Sequence, residues 1–150
     1  MTESDSIIMD NFSFSLRNMN LKVTPKRLAI LGILMEETVY LSPDEIWGKM
    51  KRRFRKIGLP TVYRNLEELS EGNIISKVNH PNRKLYYYLC KNRSHHHHFI
   101  CLSCRKVEDI NFCAAKKINK EVKTKLMGKV ISHILQVNGL CKTCSEKSNI

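Results

Sequence analysis

"GLPTVYRNLEELSEGN", residues 58–73, starts with a glycine and a proline, ends near a second glycine, and carries an apolar stripe between them. Pro60 has the fixed φ that suits the first turn of a helix, and Gly72 marks the close. Val62, Leu66 and Leu69 recur at the spacing of one helical face. At about 100° per residue, Arg64 lies nearly opposite Val62, with Thr61 and Tyr63 flanking it. The stretch predicts a helix that buries one side and presents Thr61, Tyr63 and Arg64 from the first turn of the other.

The flanking sequence repeats this grammar. "KVTPKRLAILGILMEE" (22–37) has Thr24 as N-cap, Pro25 at the first helical position, and Leu28, Leu31 and Met35 at helical spacing. "LSPDEIWGKMKRRFRK" (41–56) does the same with Ser42 and Pro43, and Ile46, Met50 and Phe54 fall four apart. A further helical pattern runs from about Phe12 to Met19, and residues 1–10 are expected to be disordered. After Gly72 come two β-rich runs, "NIISKV" (73–78) and "KLYYYL" (84–89), joined by "NHPNR". Three helices followed by a two-stranded hairpin make a winged helix-turn-helix. Such a module lays its second helix in the major groove and reads base edges from that helix's first turn. Arg64 can pair with guanine or phosphate, and Tyr63 can touch a thymine methyl. "KMKRRFRK" (49–56) holds six basic residues in eight and can follow a phosphate backbone, although most such runs are only a solvated helix face. Lys22, Lys51 and Arg52 join Thr61, Tyr63 and Arg64 as candidate DNA contacts.

The net charge of +12 fits a polyanionic partner, nucleic acid foremost, but would also fit a lysine-rich soluble surface. At 150 residues the chain suits one ordinary domain or two small ones. No run of 18 apolar residues exists for a membrane span, and "MTESDSIIMDNFSFSLRN" lacks the apolar stretch of a signal peptide, so a cytoplasmic protein is expected.

Beyond Cys90 the pattern changes. "HHHHFICL" (95–102) and "KVEDINF" (106–112) read as short strands, "CAAKKINKEVKTKLMG" (113–128) as a helix, and "KVISHILQV" (129–137) as a longer strand. The chain thus divides into a winged-helix domain (1–89), a hinge (90–94) and a second domain (95–150), with residues 145–150 frayed. Of the six cysteines, Cys101/Cys104 and Cys141/Cys144 form two Cys-x-x-C pairs with 36 residues between the inner members. In a reducing compartment such pairs read as metal ligands before disulfides, and four thiolates close a structural zinc site with no open position. Two unrelated reduced pairs, or a redox switch, would be the alternative. On a strand, alternate side chains face opposite sides, so His96 and His98 share one face and His95 and His97 the other.

These stretches resemble the Fur family of metal-dependent bacterial repressors: "VTPKR" its first DNA-domain helix, "TVYRNLEELSEGNI" its recognition helix, "HHHHFICLSCRKVEDI" its domain junction and "CKTC" its second zinc-binding pair. The resemblance covers residues 16–144 in order. It implies an α/β (α+β) protein with an N-terminal winged helix and a C-terminal α/β dimerisation domain, binding palindromic double-stranded operators as a homodimer when metal is loaded. It supports Tyr63 and Arg64 as DNA contacts. It also implies that His96 and His98 belong to a sensory metal site at the hinge, and that His95, His97 and His133 match a second site whose acidic ligand position falls on Lys116.

The departures bear on which metal is sensed. Iron and peroxide sensors of the family carry a histidine seven residues before the helical aromatic, and here that position is Tyr40. They place a carboxylate after the wing aromatic, and here the run is Tyr86-Tyr87-Tyr88. Cys90, five residues before His95, resembles the zinc-uptake branch, although a half-buried hinge thiol is the plainer reading. Asp109 is typical of the peroxide sensors. The regulatory set is therefore Cys90, His96 and His98, with His80 or Asp109 as further candidates and Tyr40 behind them. Soft sulfur favours zinc over Fe²⁺ or Mn²⁺. The expectation is a zinc-sensing repressor of metal-homeostasis genes; an iron or peroxide sensor, or a member with weakened metal control, is the alternative. An enzyme is not expected, because a four-thiolate site offers neither an open metal position nor a general base, and no small-molecule substrate is implied.

Overall fold

The computed structural model describes residues 2–92 and 94–148. The chain is a mixed α and β protein of two compact units, Met1–Lys91 and Asn92–Ile150. Within the first unit, helices α1 (Glu3–Asn18), α2 (Pro25–Glu36), α3 (Pro43–Met50) and α4 (Leu59–Glu71) precede strands β1 (Ser76–Asn79) and β2 (Leu85–Tyr88). The second unit contains β3 (His97–Cys101), β4 (Val107–Ile110), α5 (Ala115–Lys125), β5 (Gln136–Gly139) and α6 (Lys142–Ser148). No helix among the described residues is long and apolar enough to cross a membrane.

Local signals set the middle helices. Thr24 and Ser42 accept from the backbone N–H groups of Arg27 and Glu45 at 3.2 Å each, and a proline follows each cap. The Glu45 carboxylate in turn accepts from the Ser42 N–H, so two backbone donors at that terminus are satisfied. Gly58 caps α4, and Val62, Leu66 and Leu69 are fully buried beneath it, against Leu16, Ile30, Leu31, Ile46 and Met50. The wing is an antiparallel pair with Lys77 opposite Tyr87, and Tyr87 also bridges to Leu41.

Three expectations fail here. Residues 1–10 are not disordered: α1 starts at Glu3, where the Thr2 hydroxyl and the Asp5 carboxylate cap each other's backbone N–H groups. The helix is held by burial of Phe12 and Leu16, with Ile8 and Met9 packed alongside. The basic run after Met50 leaves the helix, because α3 ends there and Phe54 turns back toward the core. The frayed end read from residue 145 is instead α6 through Ser148; Asn149 and Ile150 lie outside the described residues. Arg93, within the segment read as hinge, also lies outside them.

The second unit is a three-stranded sheet in the order β4-β3-β5, antiparallel between β3 and β4 and parallel between β3 and β5. The long strand expected over 129–137 shrinks to Gln136–Gly139, and 129–135 forms no regular element. Strand β3 has only one edge left beside β4, and β5 covers it from His98 to Cys101. The close of that pairing needs a residue without a side chain: a Cβ on Gly139 would stand 2.9 Å from the Phe99 ring. Burial is thin: among the described residues of this unit, Ile100, Cys101 and His97 are the buried ones, with none on α5.

Candidate metal centres and nucleic-acid interface

Among the described residues, three groups of histidine, cysteine or acidic side chains gather in the second unit, each with its donor atoms within 4.8 Å of one another. The first of these is Cys101, Cys104, Cys141 and Cys144. The turn after β3 carries one pair, and the junction of β5 with α6 carries the other. A zinc–sulfur bond of about 2.3 Å sets tetrahedral S···S edges of about 3.8 Å; the Cys104 and Cys141 sulfurs are 3.7 Å apart. The Cys141 N–H donates to the Cys101 sulfur at 3.4 Å. Burial pushes the Cys101 thiol up, but backbone N–H groups of Cys141, Cys104 and Ser103 more than offset it, bringing it down to about 6. At Cys104 the Lys106 N–H lowers the thiol, yet burial and its cysteine neighbours leave it at about 11. The backbone N–H groups thus favour a thiolate at Cys101 at neutral pH.

The second group in this unit is His95, His97, Cys113 and His133. Cys113 is absent from the candidates read from the sequence, where the matching position is Lys116; Lys116 stands exposed on α5. The only signal was a cysteine outside both Cys-x-x-C pairs, just ahead of a helix.

His96, His98 and Asp109 also converge in the second unit. The β3–β4 register places His98 opposite Asp109. His96 Nδ1 donates to the Ser94 carbonyl at 2.5 Å, since a carbonyl can only accept, which leaves Nε2 as the lone-pair nitrogen. That Nε2 lies 2.9 Å from His98 Nε2, and Asp109 Oδ1 is 3.6 and 3.7 Å from the two rings. Asn92 donates to the other Asp109 oxygen at 2.9 Å and so orients the carboxylate. Burial, then the His96 charge, holds His98 below the ordinary histidine range. His97 is held down likewise, by burial and then by His95 and His133. Both favour the neutral imidazole that a metal needs.

Of the remaining candidates, Cys90 is half-buried at the end of the first unit. His80 falls in none of the three groups: its ring packs at 6.1 Å from Tyr40 and 5.2 Å from Tyr86, and its Nδ1 accepts from the Asn82 N–H. Tyr40 is fully buried beside Tyr86, within the first unit's packing.

On α4, Tyr63 and Arg64 are exposed and Thr61 half-exposed. An open groove of about 460 Å³ runs along this face, lined in part by Lys22, Thr61 and Arg64. Arg27 ties its wall together. It donates to the Lys22 carbonyl at 2.8 Å, to Asn65 Oδ1 at 3.3 Å and to the Glu68 carboxylate, while Asn65 donates to the Thr61 carbonyl at 2.9 Å. Lys51 lies 3.9 Å over the Trp47 ring, and Arg52 is exposed.

A winged-helix unit with a basic groove, followed by an α/β unit rich in thiolate and imidazole clusters, defines a metal-binding regulator of transcription, not an enzyme. The chain belongs to the ferric uptake regulator family, whose pattern matches residues 18–138. It is 30% identical to the ferric uptake regulation protein of Bacillus subtilis (strain 168) over 142 residues, spanning 93% of this chain and 95% of that one. The Helicobacter pylori ferric uptake regulator, a structure described as revealing three functional metal-binding sites, superposes with a TM-score of 0.66 at 27% identity, covering 96% and 95% of the two chains. A zinc uptake regulator complexed with zinc and DNA shares the fold with a TM-score of 0.77 at 22% identity and full coverage of both chains. The chain is a metal-responsive transcriptional regulator of a family whose members bind DNA as dimers.

Proposed function

We propose that the chain is a homodimeric, zinc-sensing repressor in which His96, His98 and Asp109 hold an exchangeable metal and Cys90 supplies the fourth donor. The observation that carries this is the convergence of two imidazoles, at and just before β3, with an oriented carboxylate on β4, the first imidazole six residues of chain beyond a thiol. A thiolate in the set suits zinc better than Fe²⁺ or Mn²⁺. The two positions where iron sensors of the family hold further ligands are filled by Tyr40 and the Tyr86-Tyr87-Tyr88 run, and Tyr40 and Tyr87 are fully buried. Cys101, Cys104, Cys141 and Cys144 hold a permanent zinc whose bonds contribute folding free energy to a unit with little core.

The metal's differential affinity for one arrangement of the two domains sets the spacing of two reading helices on a palindromic operator. Thr61, Tyr63 and Arg64 meet base edges, and Lys22, Lys51 and Arg52 meet phosphate. Exposed Leu126, Met127 and Ile118 at and beyond α5 supply apolar surface for the dimer. The second reading, an iron or peroxide sensor, draws on Asp109, a hard oxygen donor between the two histidines.

The test is an operator titration on protein that keeps only its four-cysteine zinc. Zinc should restore binding at a lower free concentration than Fe²⁺ or Mn²⁺, and His96→Ala or Cys90→Ser should abolish the response with the fold intact. A Cys90→Ser protein that responds like the parent reduces Cys90 to a hinge thiol. Restoration by Fe²⁺, followed by loss on peroxide treatment with oxidation of His96 or His98, establishes the peroxide sensor. Equal binding without any added metal means that metal control has been lost.

A further inference from the structure

We infer that Cys113 takes the place of the acidic ligand that the family resemblance puts at Lys116, and completes with His95, His97 and His133 a closed tetrahedral site of three imidazoles and one thiolate, suited to zinc, which ties residues 129–135 to the sheet. The donors come from separate places in the second unit. His97 starts β3 and His95 lies two residues before it, Cys113 lies between β4 and α5, and His133 lies in the irregular segment before β5.

Their spacing is that of a coordination polyhedron. Zinc–nitrogen bonds of about 2.0–2.1 Å and a zinc–sulfur bond of about 2.3 Å set tetrahedral edges of about 3.3–3.4 Å between nitrogens and about 3.5–3.6 Å between nitrogen and sulfur. His133 Nε2 is 3.3 Å from His97 Nε2. The Cys113 sulfur is 3.2 Å from His95 Nε2 and 3.4 Å from His133 Nε2. Side chains packed only for contact would have no reason to aim three Nε2 atoms and a sulfur at one point. The rings instead stand edge-on to one another, with centroids 4.9–5.3 Å apart, as ligands around a shared centre must.

The thiolate separates this centre from the site to which the family resemblance points. That site has an acidic ligand where this chain has Lys116, a cation that would repel a metal. Cys113, three residues earlier, restores the negative charge and changes its character. A soft sulfur with three imidazoles suits zinc, whereas a carboxylate would serve Fe²⁺ and Mn²⁺ comparatively better. Because four protein ligands complete a tetrahedron, no position stays open for water or substrate, and the centre's role is to fix the chain. The part it fixes is otherwise held by neither helix nor sheet. Residues 129–135 carry Ile131 and Ile134, 85% and 88% exposed, so binding at His133 would set where that apolar surface points.

The experiment uses full-length protein with its four-cysteine zinc in place and His96→Ala/His98→Ala to silence the other exchangeable cluster. Added Co²⁺ should bind at one equivalent with the visible bands of tetrahedral cobalt and a near-ultraviolet sulfur-to-cobalt charge-transfer band. Cys113→Ser should abolish the charge-transfer band and weaken binding beyond the roughly 10- to 100-fold typical of changes outside the ligand shell. Zinc should also slow tryptic cleavage after Lys129 in the parent and not in Cys113→Ser. No stoichiometric binding of the added cobalt, cobalt bound without the charge-transfer band, or a band that survives in Cys113→Ser would each overturn the assignment. Because the His96/His98 centre is absent from this protein, none of these outcomes depends on whether that centre senses zinc.

Discussion

The Tyr87 hydroxyl lies 3.4 Å from a Glu67 carboxylate oxygen in a fully buried position. Burial first, and the neighbouring Glu67 charge second, push it up to about 12 from an ordinary 10. The neutral phenol is thus favoured in the folded chain. Its contribution is fully present below pH 10 and is lost as pH rises toward 12, where the unfolded chain ionises first. Urea unfolding at pH 9 and at pH 11.5 should show a smaller drop in stability for Tyr87→Phe than for the parent; an equal drop would remove Tyr87 from the account. Legibility at this scale followed the range of the signal. The two Cys-x-x-C pairs and the alternation of the four histidines are readable from neighbours in sequence. Cys113 is not, because its partners lie 18 and 20 residues away and meet it only through the fold.

In the function proposed, helix α4 reads DNA and must be held at a fixed angle, and Arg27 on α2 ties its exposed side to the segment before α2. One guanidinium spans the Lys22 carbonyl, Asn65 and Glu68, so the groove wall moves as a piece. With Glu68 beside it, Arg27 has little charge to offer a phosphate. Arg27→Ala should therefore weaken binding to a specific operator, with a loss comparable to the roughly 1–3 kcal/mol expected for Arg64→Ala, and leave the salt slope unchanged. A slope that falls by about one unit would make Arg27 a phosphate contact instead. The elements that were legible are those with local punctuation: Thr24-Pro25, Ser42-Pro43 and Gly58 to Gly72 all fall at helix ends. The elements misread depend on distant partners. Helix α1 needs a core for Phe12 and Leu16, and 129–135 has strand-like composition but no free edge beside β3.

Across the whole chain, stability is unevenly distributed. The first unit packs fifteen buried residues into one cluster, from Phe12 to Leu89, whereas the second has little beyond Ile100 and Cys101. Four-cysteine zinc sites in small domains contribute on the order of 10 kcal/mol at neutral pH, which is the scale this second unit lacks. Cys101→Ser should release zinc and raise amide exchange throughout 97–139 while α2, α3 and α4 stay protected. A variant that remains zinc-loaded, with both units melting at the parent temperature, would sink the idea. The same imbalance explains why the winged helix could be traced from hydrophobic periodicity alone, whereas the second unit was traced mainly through its ligands.

Strand β3 and the two residues before it feed all three clusters, with His96 and His98 to one side, His95 and His97 to the other, and Cys101 at the end. A slip of one residue on a strand exchanges its faces, and in a run of identical histidines such a slip would hardly change what each face offers. The frame must therefore be kept from downstream, by Ile100 and Cys101 in the interior and by Phe99 over Gly139. Deleting any one of the four histidines yields the same polypeptide. Anchored from Phe99 onward, that shortened chain would keep imidazoles at the places of His96, His97 and His98 and lose only the one at His95. A single genetic lesion of this kind would take one imidazole from the Cys113 cluster and keep both imidazoles of the His96–His98 cluster, so the repeated letter works as a one-sided tolerance in the protein's reading frame.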